Sequence, residues 1–419
     1  YREPLSQMRA EVAELQARSA AEKKSLEEKL GQVDTTEEAK AVQADLENAR
    51  RGLVQLMAGL QADPDYRKLL ITEPAEIGAI QASLPEDTLL IQHFLAQNRS
   101  ELYIIVVGPS IIDAKKYPVS SAEVERDILN LRRALKGRSV TDQKLTYGLL
   151  NKLYNQLLKP VESELVGKKR LLLATSGPLN NVPFPALVSG ATNGKPRFLV
   201  EDFEIVSLLR SGDLARLQSE PSPNASSWTV FGNPDGTLPA AELESEFIKK
   251  LHPESKTFVR NEAREKRLRD LVAETGVLPL ATHGRLNDRN PDQSSLLLLD
   301  DEGRPGALTR QEIISDLDLR KARLVTLSAC ETALSGQSGN EVSSLADAFW
   351  SKGARAVNGS LWSVPDEPTY RLMATYYKSL ASGKSYGSAF RDAQLSLIAD
   401  QRTFHPLFWS GFIFWGDFR

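Results

Sequence analysis

From residue 227 onward, short apolar runs alternate with amphipathic stretches, and this alternation restricts the fold more than any other feature of the sequence. Strands are expected at Trp228 to Phe231, Thr257 to Arg260, Val277 to Thr282, Arg323 to Ser328, Ala356 to Leu361 and Phe412 to Trp415. Helical patterns separate most of them, at about 240–251, 262–274, 309–316, 341–352 and 366–399. Apolar strands joined by helical crossovers imply a mostly parallel sheet covered on both faces. In such sheets the chemistry gathers where strands end at their carboxyl termini.

Two of these strands end in reactive side chains. Val277-Leu278-Pro279-Leu280-Ala281-Thr282 runs into His283-Gly284, and Leu324-Val325-Thr326-Leu327-Ser328 into Ala329-Cys330-Glu331-Thr332. A cysteine attacks a peptide carbonyl as its thiolate, and an imidazole supplies the proton that the departing amine needs. His283 precedes Cys330 by 47 residues, close to the roughly 50-residue separation of caspases, whose signature also contains Ala-Cys. Gly284 offers a backbone N–H unobstructed by a side chain, so its amide and that of Cys330 are candidates for an oxyanion hole.

These motifs, with Gly353-Ala354-Arg355-Ala356-Val357, Ser360-Leu361-Trp362-Ser363-Val364 and His405-Pro406-Leu407-Phe408-Trp409, resemble the CHAT family of caspase-related, separase-like cysteine peptidases. The similarity begins near Leu84-Pro85-Glu86-Asp87-Thr88, takes in Gly177-Pro178-Leu179-Asn180-Asn181-Val182-Pro183-Phe184-Pro185, and covers about four-fifths of the chain. The resemblance implies a caspase-like three-layer α/β sandwich. It also implies a regulated, mostly bacterial endopeptidase that acts in defence by cutting a partner protein, and tetratricopeptide repeats or another sensor ahead of the peptidase. Separases pair an inactive caspase-like domain with an active one, and a similar pairing is expected here. The substrate is expected beside the strand Val357 to Trp362, with Ser360, Trp362 and Asp366 shaping the pocket for the residue before the cut. Asp366 would select Arg or Lys; its rival role is a helix cap. A catalytically silent caspase-like interaction scaffold is the alternative reading.

Three segments are expected: a helical hairpin or coiled coil over 1–63, a smaller α/β subdomain over 64–225, and the peptidase over 226–419. In the first, Ala39, Val42, Leu46, Ala49, Leu53, Leu56 and Leu60 form a heptad seam that reads as a structural hairpin packed on the next domain or, alternatively, as a dimer or partner surface for an upstream sensor or activator. In the second, runs 88–95 and 101–107 read as a hairpin about Asn98-Arg99, helices are expected at 121–136 and 141–165, and strands at 171–174 and near 203–209. Ser219 to Ser226 reads as the boundary.

Composition excludes several classes. Net charge is −3 and 26% of residues are charged, so no basic excess points to nucleic acid. One cysteine and four histidines show neither a disulfide framework nor metal-ligand spacing, and no metal or cofactor is expected. No apolar run reaches the roughly 20 residues of a membrane span, and a cytoplasmic location is expected. The chain starts at Tyr1 and reads as a fragment or processed form. Gly190 to Pro196 is too short for a phosphate loop and reads as a surface turn. His405 is read as a packed or capping histidine, Glu331 is left outside the catalytic set, and His93 and His252 are given no role.

Overall fold

In the computed structural model, the described residues are 76–96, 100–136, 143–214, 217, 223, 225–287, 290–329, 332–333 and 344–419. The expected hairpin over 1–63 therefore lies outside them, as does Cys330.

One eleven-stranded sheet organises these residues, in the order β3-β2-β1-β4-β7-β16-β15-β14-β10-β8-β9. Its first half comprises β1 (Thr88–Ala96), β2 (Glu101–Val107), β3 (Ile112–Pro118), β4 (Arg170–Ala174) and, after the separate hairpin β5 (Val188–Thr192) and β6 (Lys195–Phe198), β7 (Glu204–Leu208). The second half comprises β8 (Thr229–Gly232), β9 (Lys256–Val259) and β10 (Val277–Ala281), then β14 (Leu324–Ser328), β15 (Ala356–Ser360) and β16 (Phe412–Gly416). Between β10 and β14 a small three-stranded sheet forms from β11 (Gly284–Arg285), β12 (Ser295–Leu296) and β13 (Leu308–Thr309). The neighbours β1–β4, β4–β7, β8–β9, β8–β10, β10–β14 and β14–β15 are parallel, whereas β1–β2, β2–β3 and β15–β16 are antiparallel.

Every residue of β10, β15 and β16 is buried. A pleated strand achieves that only with cover on both faces, which explains why these runs lack polar alternation. The described helices are α1 (Ile77–Ala82), α2 (Ser121–Lys136), α3 (Gln143–Leu157), α4 (Leu199–Asp202), α5 (Pro239–Leu251), α6 (Glu265–Leu271), α7 (Arg310–Asp316), α8 (Leu345–Ser351), α9 (Asp366–Ala381) and α10 (Tyr386–Ile398), of which α5 packs on β8, β9 and β10, α8 on β15 and α10 on β7. The pattern over 366–399 suggested one long helix, but it folds as two. Gly383 breaks it with φ +87°, in the left-handed region that a side chain disfavours. The outer strand β3 was not expected, because its alternating exposed and half-buried residues offer no apolar face. Lys115, Lys116 and Pro118 instead suit it to a sheet edge. The turn expected over 190–196 is the tip of the β5–β6 hairpin, with Asn193 and Gly194 both at positive φ.

The two halves meet edge to edge at β16, which pairs with β15 on one side and, through Trp415 and Ser207, with β7 on the other. Its end is fixed by an ion pair between Arg355 and Asp417, 2.8 Å apart, with only 6% and 7% of the two side chains exposed. Burial pushes the Asp417 carboxyl up, but hydrogen bonds from Arg419 and Arg355 outweigh it and hold the group below the usual carboxylate range. Arg355 and Arg419 both also donate to the Leu217 carbonyl. No helix of the described residues is long and apolar enough to cross a membrane.

Replacing Asp417 with alanine leaves the Arg355 guanidinium buried without its charge partner. The expected loss is about 3–5 kcal/mol in a urea titration followed by circular dichroism. A midpoint within experimental error of the wild type would show that the pair does not anchor this strand.

Candidate active site

Strands β10 and β14 set the site. They pair in parallel with Ala281 opposite Ser328, so His283 and Cys330 each lie two residues beyond one aligned pair, on strands about 4.8 Å apart. Thr282 reinforces this alignment, donating its N–H to the Ser328 carbonyl (3.3 Å) and its hydroxyl to the Leu297 carbonyl (2.6 Å).

The chain on either side of Cys330-Glu331 is tied to the end of β15. Ser360 donates its hydroxyl to the Ala329 carbonyl and its N–H to Thr332 Oγ1 (2.9 Å), and its carbonyl accepts the Ala333 N–H (2.8 Å). Gly359 permits this closeness, because a Cβ there would stand 3.1 Å from Thr332 Oγ1 and 3.3 Å from Ala333 Cβ.

His283 has a 40% exposed side chain. Its Nε2 lies 2.6 Å from Thr237 Oγ1, and Thr237 donates its own hydroxyl hydrogen to Asp235 Oδ1 at 2.8 Å. With that hydrogen committed, the Thr237 oxygen accepts from the ring. The neutral imidazole therefore carries its hydrogen on Nε2 and keeps its lone pair on Nδ1. Asp235 Oδ2 sits 3.6 Å from Nε2. Partial burial pushes the Asp235 carboxyl up, but the Thr237 hydroxyl and N–H and the neighbouring His283 hold it below its usual range.

Asp235 and Thr237 come from the turn that follows β8, Asn233-Pro234-Asp235-Gly236-Thr237. Asn233 and Gly236 adopt left-handed φ of 46° and 77°, and the Asn233 side chain accepts the Leu238 N–H at 2.7 Å. Sequence reasoning missed both residues. The signal was present, since an Asn-Pro-Asp-Gly turn ends the strand beside the one that carries His283.

Gly284 stands opposite Leu296 in the small sheet, while the Leu297 N–H donates to the His283 carbonyl at 2.9 Å. The Gly284–Leu296 pair is thus the non-hydrogen-bonded one, and the Gly284 N–H points away from β12.

A cleft of about 350 Å³ opens beside His283, lined also by Ser328, Ala329, Ser360, Trp362 and Asp366. The fold brings the expected Trp362 and Asp366 to the same cleft as His283, each already bonded. Trp362 is fully buried and donates Nε1–H to the Leu407 carbonyl at 3.1 Å. Asp366 begins α9 without capping it; its Oδ2 accepts the Ala240 N–H of α5 at 3.0 Å, so it caps a neighbouring helix. The expectation that substrate pairs along Val357 to Trp362 is corrected. Strand β15 has a partner on each side, and the Leu361 N–H is bonded to the Gly411 carbonyl. The backbone from 356 to 361 is therefore no free edge.

Glu244 of α5, which sequence reasoning passed over, also lines the cleft. It is 2% exposed and accepts hydrogen bonds from Ser328 Oγ (3.1 Å) and the Tyr377 hydroxyl (3.3 Å). Burial pushes its carboxyl up to about 8, with the Asp366 charge adding to the rise and the two hydrogen bonds opposing it.

His93 and His405 serve the core. His93 is buried with Nε2 2.9 Å from the Leu157 carbonyl, and burial lowers its pKa to about 4. His405 caps a short turn, its Nδ1 accepting the Leu407 N–H at 3.2 Å. Among the described residues, no group of three or more His, Cys, Asp or Glu could hold a metal ion.

Residues 148–417 match the CHAT domain. The chain belongs to the CHAT domain family. Tetratricopeptide repeat protein 28 of Homo sapiens is 26% identical over 325 residues, a match that takes in 64% of this chain and 13% of the human protein. Among solved structures, separase in the Saccharomyces cerevisiae separase–securin complex superposes with a TM-score of 0.57 at 11% identity, covering 81% of this chain and 30% of the separase chain. A second structure of that complex gives 0.54 at 13% identity, covering 85% and 32%. The CHAT chain thus has the caspase-like fold of separase and spans less than a third of the separase chain.

The raised Glu244 pKa predicts a pH dependence. Between the ordinary carboxylate range and about pH 8 the folded protein keeps a proton that the unfolded chain releases, so stability falls as pH rises through that window. Glu244→Gln, which can still accept from Ser328 and Tyr377, is expected to flatten that fall by a few kcal/mol between pH 5 and 8. Parallel melting curves for both proteins across this range would refute the assignment.

Proposed function

We propose that this CHAT protein is a cysteine endopeptidase in which Cys330 is the nucleophile and His283 moves the proton. The observation that carries this reading is the His283 ring at the cleft, held through Nε2 with no bond to Nδ1 among the described residues, just beyond a strand in parallel register with the one that leads to Cys330. Nδ1 takes the thiol proton, and the sulfur attacks the scissile carbonyl to form a tetrahedral intermediate. The Gly284 and Cys330 amides stabilise its oxyanion. The imidazolium then protonates the leaving amine as the C–N bond breaks, and water activated by the same ring releases the acyl group. Thr237 and Asp235 act as positioning residues that fix the ring and steady its positive charge.

The substrate we propose is a protein cut after a basic residue. Asp366 and Glu244 give the cleft two carboxyls, and an arriving guanidinium or ammonium favours the ionised form of Glu244. Residues 1–63 contain neither histidine nor cysteine, and we assign them a regulatory docking role toward an upstream sensor or activator.

Three measurements test this reading. Incubated with a peptide library, wild type is expected to cut after Arg or Lys, and Asp366→Asn, which keeps an oxygen for the Ala240 N–H, to weaken that preference. Cleavage by wild type after Leu or Met would refute the charge argument. A cysteine-directed epoxide probe is expected to label Cys330, with labelling and cleavage lost in His283→Ala and cleavage lost in Cys330→Ala. Activity retained in either variant would remove the dyad. Thr237→Val is expected to lower kcat about tenfold, ~1.4 kcal/mol on the barrier, and to shift the acid limb of the kcat–pH profile. An unchanged profile would mean that Thr237 has no part in orienting the ring.

A further inference from the structure

At the sheet edge away from His283 lies a larger cavity, of about 1050 Å³. It is lined by Val277 and Arg323, where β10 and β14 begin, by Lys256 at the start of β9 and by Arg170 at the start of β4. This volume reaches the upper end of the range for small-molecule clefts, roughly 300–1,000 Å³.

Its lining is strongly one-sided in charge. Arg170, Lys256, Arg323, Lys384 and Arg419 face Glu254 as the one carboxylate among the lining residues. Three of the cations have carboxylates of their own: Arg170 pairs with Glu204, Lys384 with Asp392 and Arg419 with Asp417. Arg323 and Lys256 have none among the described residues, and Arg323 Nε is buried without a hydrogen-bond partner. That nitrogen is closed off from solvent, so a ligand in the cavity meets the rest of the guanidinium, whose charge no carboxylate among the described residues offsets. His252 adds a second buried nitrogen without a partner, Nε2, on a ring stacked 4.0 Å from the Trp228 indole.

From these observations we infer that this cavity binds a phosphorylated small molecule, with Arg323 and Lys256 as its principal charge partners. Phosphate fits better than a monocarboxylate because it offers several acceptor oxygens and up to two charges to donors that approach from different strands. The site is separate from the His283 cleft and does not depend on the peptidase reading.

The test uses the full chain with pyrophosphate and ATP as probes, monitored by Trp fluorescence and by calorimetry. Saturable binding is expected in wild type, weakened at least tenfold in Lys256→Glu and in Arg323→Gln. Lys256 is exposed, so its variant tests the site even if Arg323→Gln fails to fold. The absence of saturable binding, or equal affinity in wild type and Lys256→Glu, overturns the proposal. Cosedimentation with phosphatidic acid vesicles without binding of either soluble probe also overturns it, since the phosphate source would then be a lipid headgroup. Binding that survives in His283→Ala separates this site from the peptidase cleft.

Discussion

Because Ala281 stands opposite Ser328 in a parallel pair, two loops separated by more than forty residues of sequence leave the sheet side by side. A shift of one residue in that register would turn alternate side chains to the other face. Much of the neighbouring structure resists such a shift. Thr282 bonds across to the end of β14, and Ser360 holds the chain on both sides of Cys330-Glu331 from the other neighbour. Ser360 lines the cleft, and its hydroxyl, N–H and carbonyl also bond Ala329, Thr332 and Ala333.

The cleft also combines two opposite treatments of a carboxyl group. Asp235 is pulled down by a hydroxyl, an N–H and a nearby imidazole, whereas Glu244 is pushed up by burial with only two hydroxyl donors to offset it. One is suited to stand beside a ring that becomes cationic, while the other stays largely protonated at neutral pH until a cation arrives. Ser328, the last residue of β14, binds Glu244 directly, so the charge state of the cleft floor is felt at the carboxyl end of that strand.

Much of this architecture could be read from residue patterns. The apolar runs that became β10, β14, β15 and β16 have no polar face, and their alternation with helices gave both the parallel sheet and the edge that carries His283. The patterns failed where tertiary context decides. Strand β3 is polar and exists because β2 offers it a backbone edge, and the break between α9 and α10 depends on Gly383 inside an otherwise continuous helical period. Asp235 and Thr237 sit in a loop whose residues suit any turn, and only the adjacency of β8 to β10 brings them to His283. The protonation of Glu244 depends on complete burial, which one glutamate in an amphipathic helix does not announce.

Strand β16, last in sequence among the sheet's strands, lies in its middle, where it joins residues near position 207 to residues near position 357. During synthesis the two half-sheets can each form early, but they remain open edge to edge until residues 412–416 have been made. Such long-range closure is slow relative to local folding and leaves pairing edges exposed while it waits. Ser360 of β15 bonds Ala329, Thr332 and Ala333, and β15 is unsupported on one side until β16 arrives, so the support behind these bonds is complete only once residues 412–416 have been made.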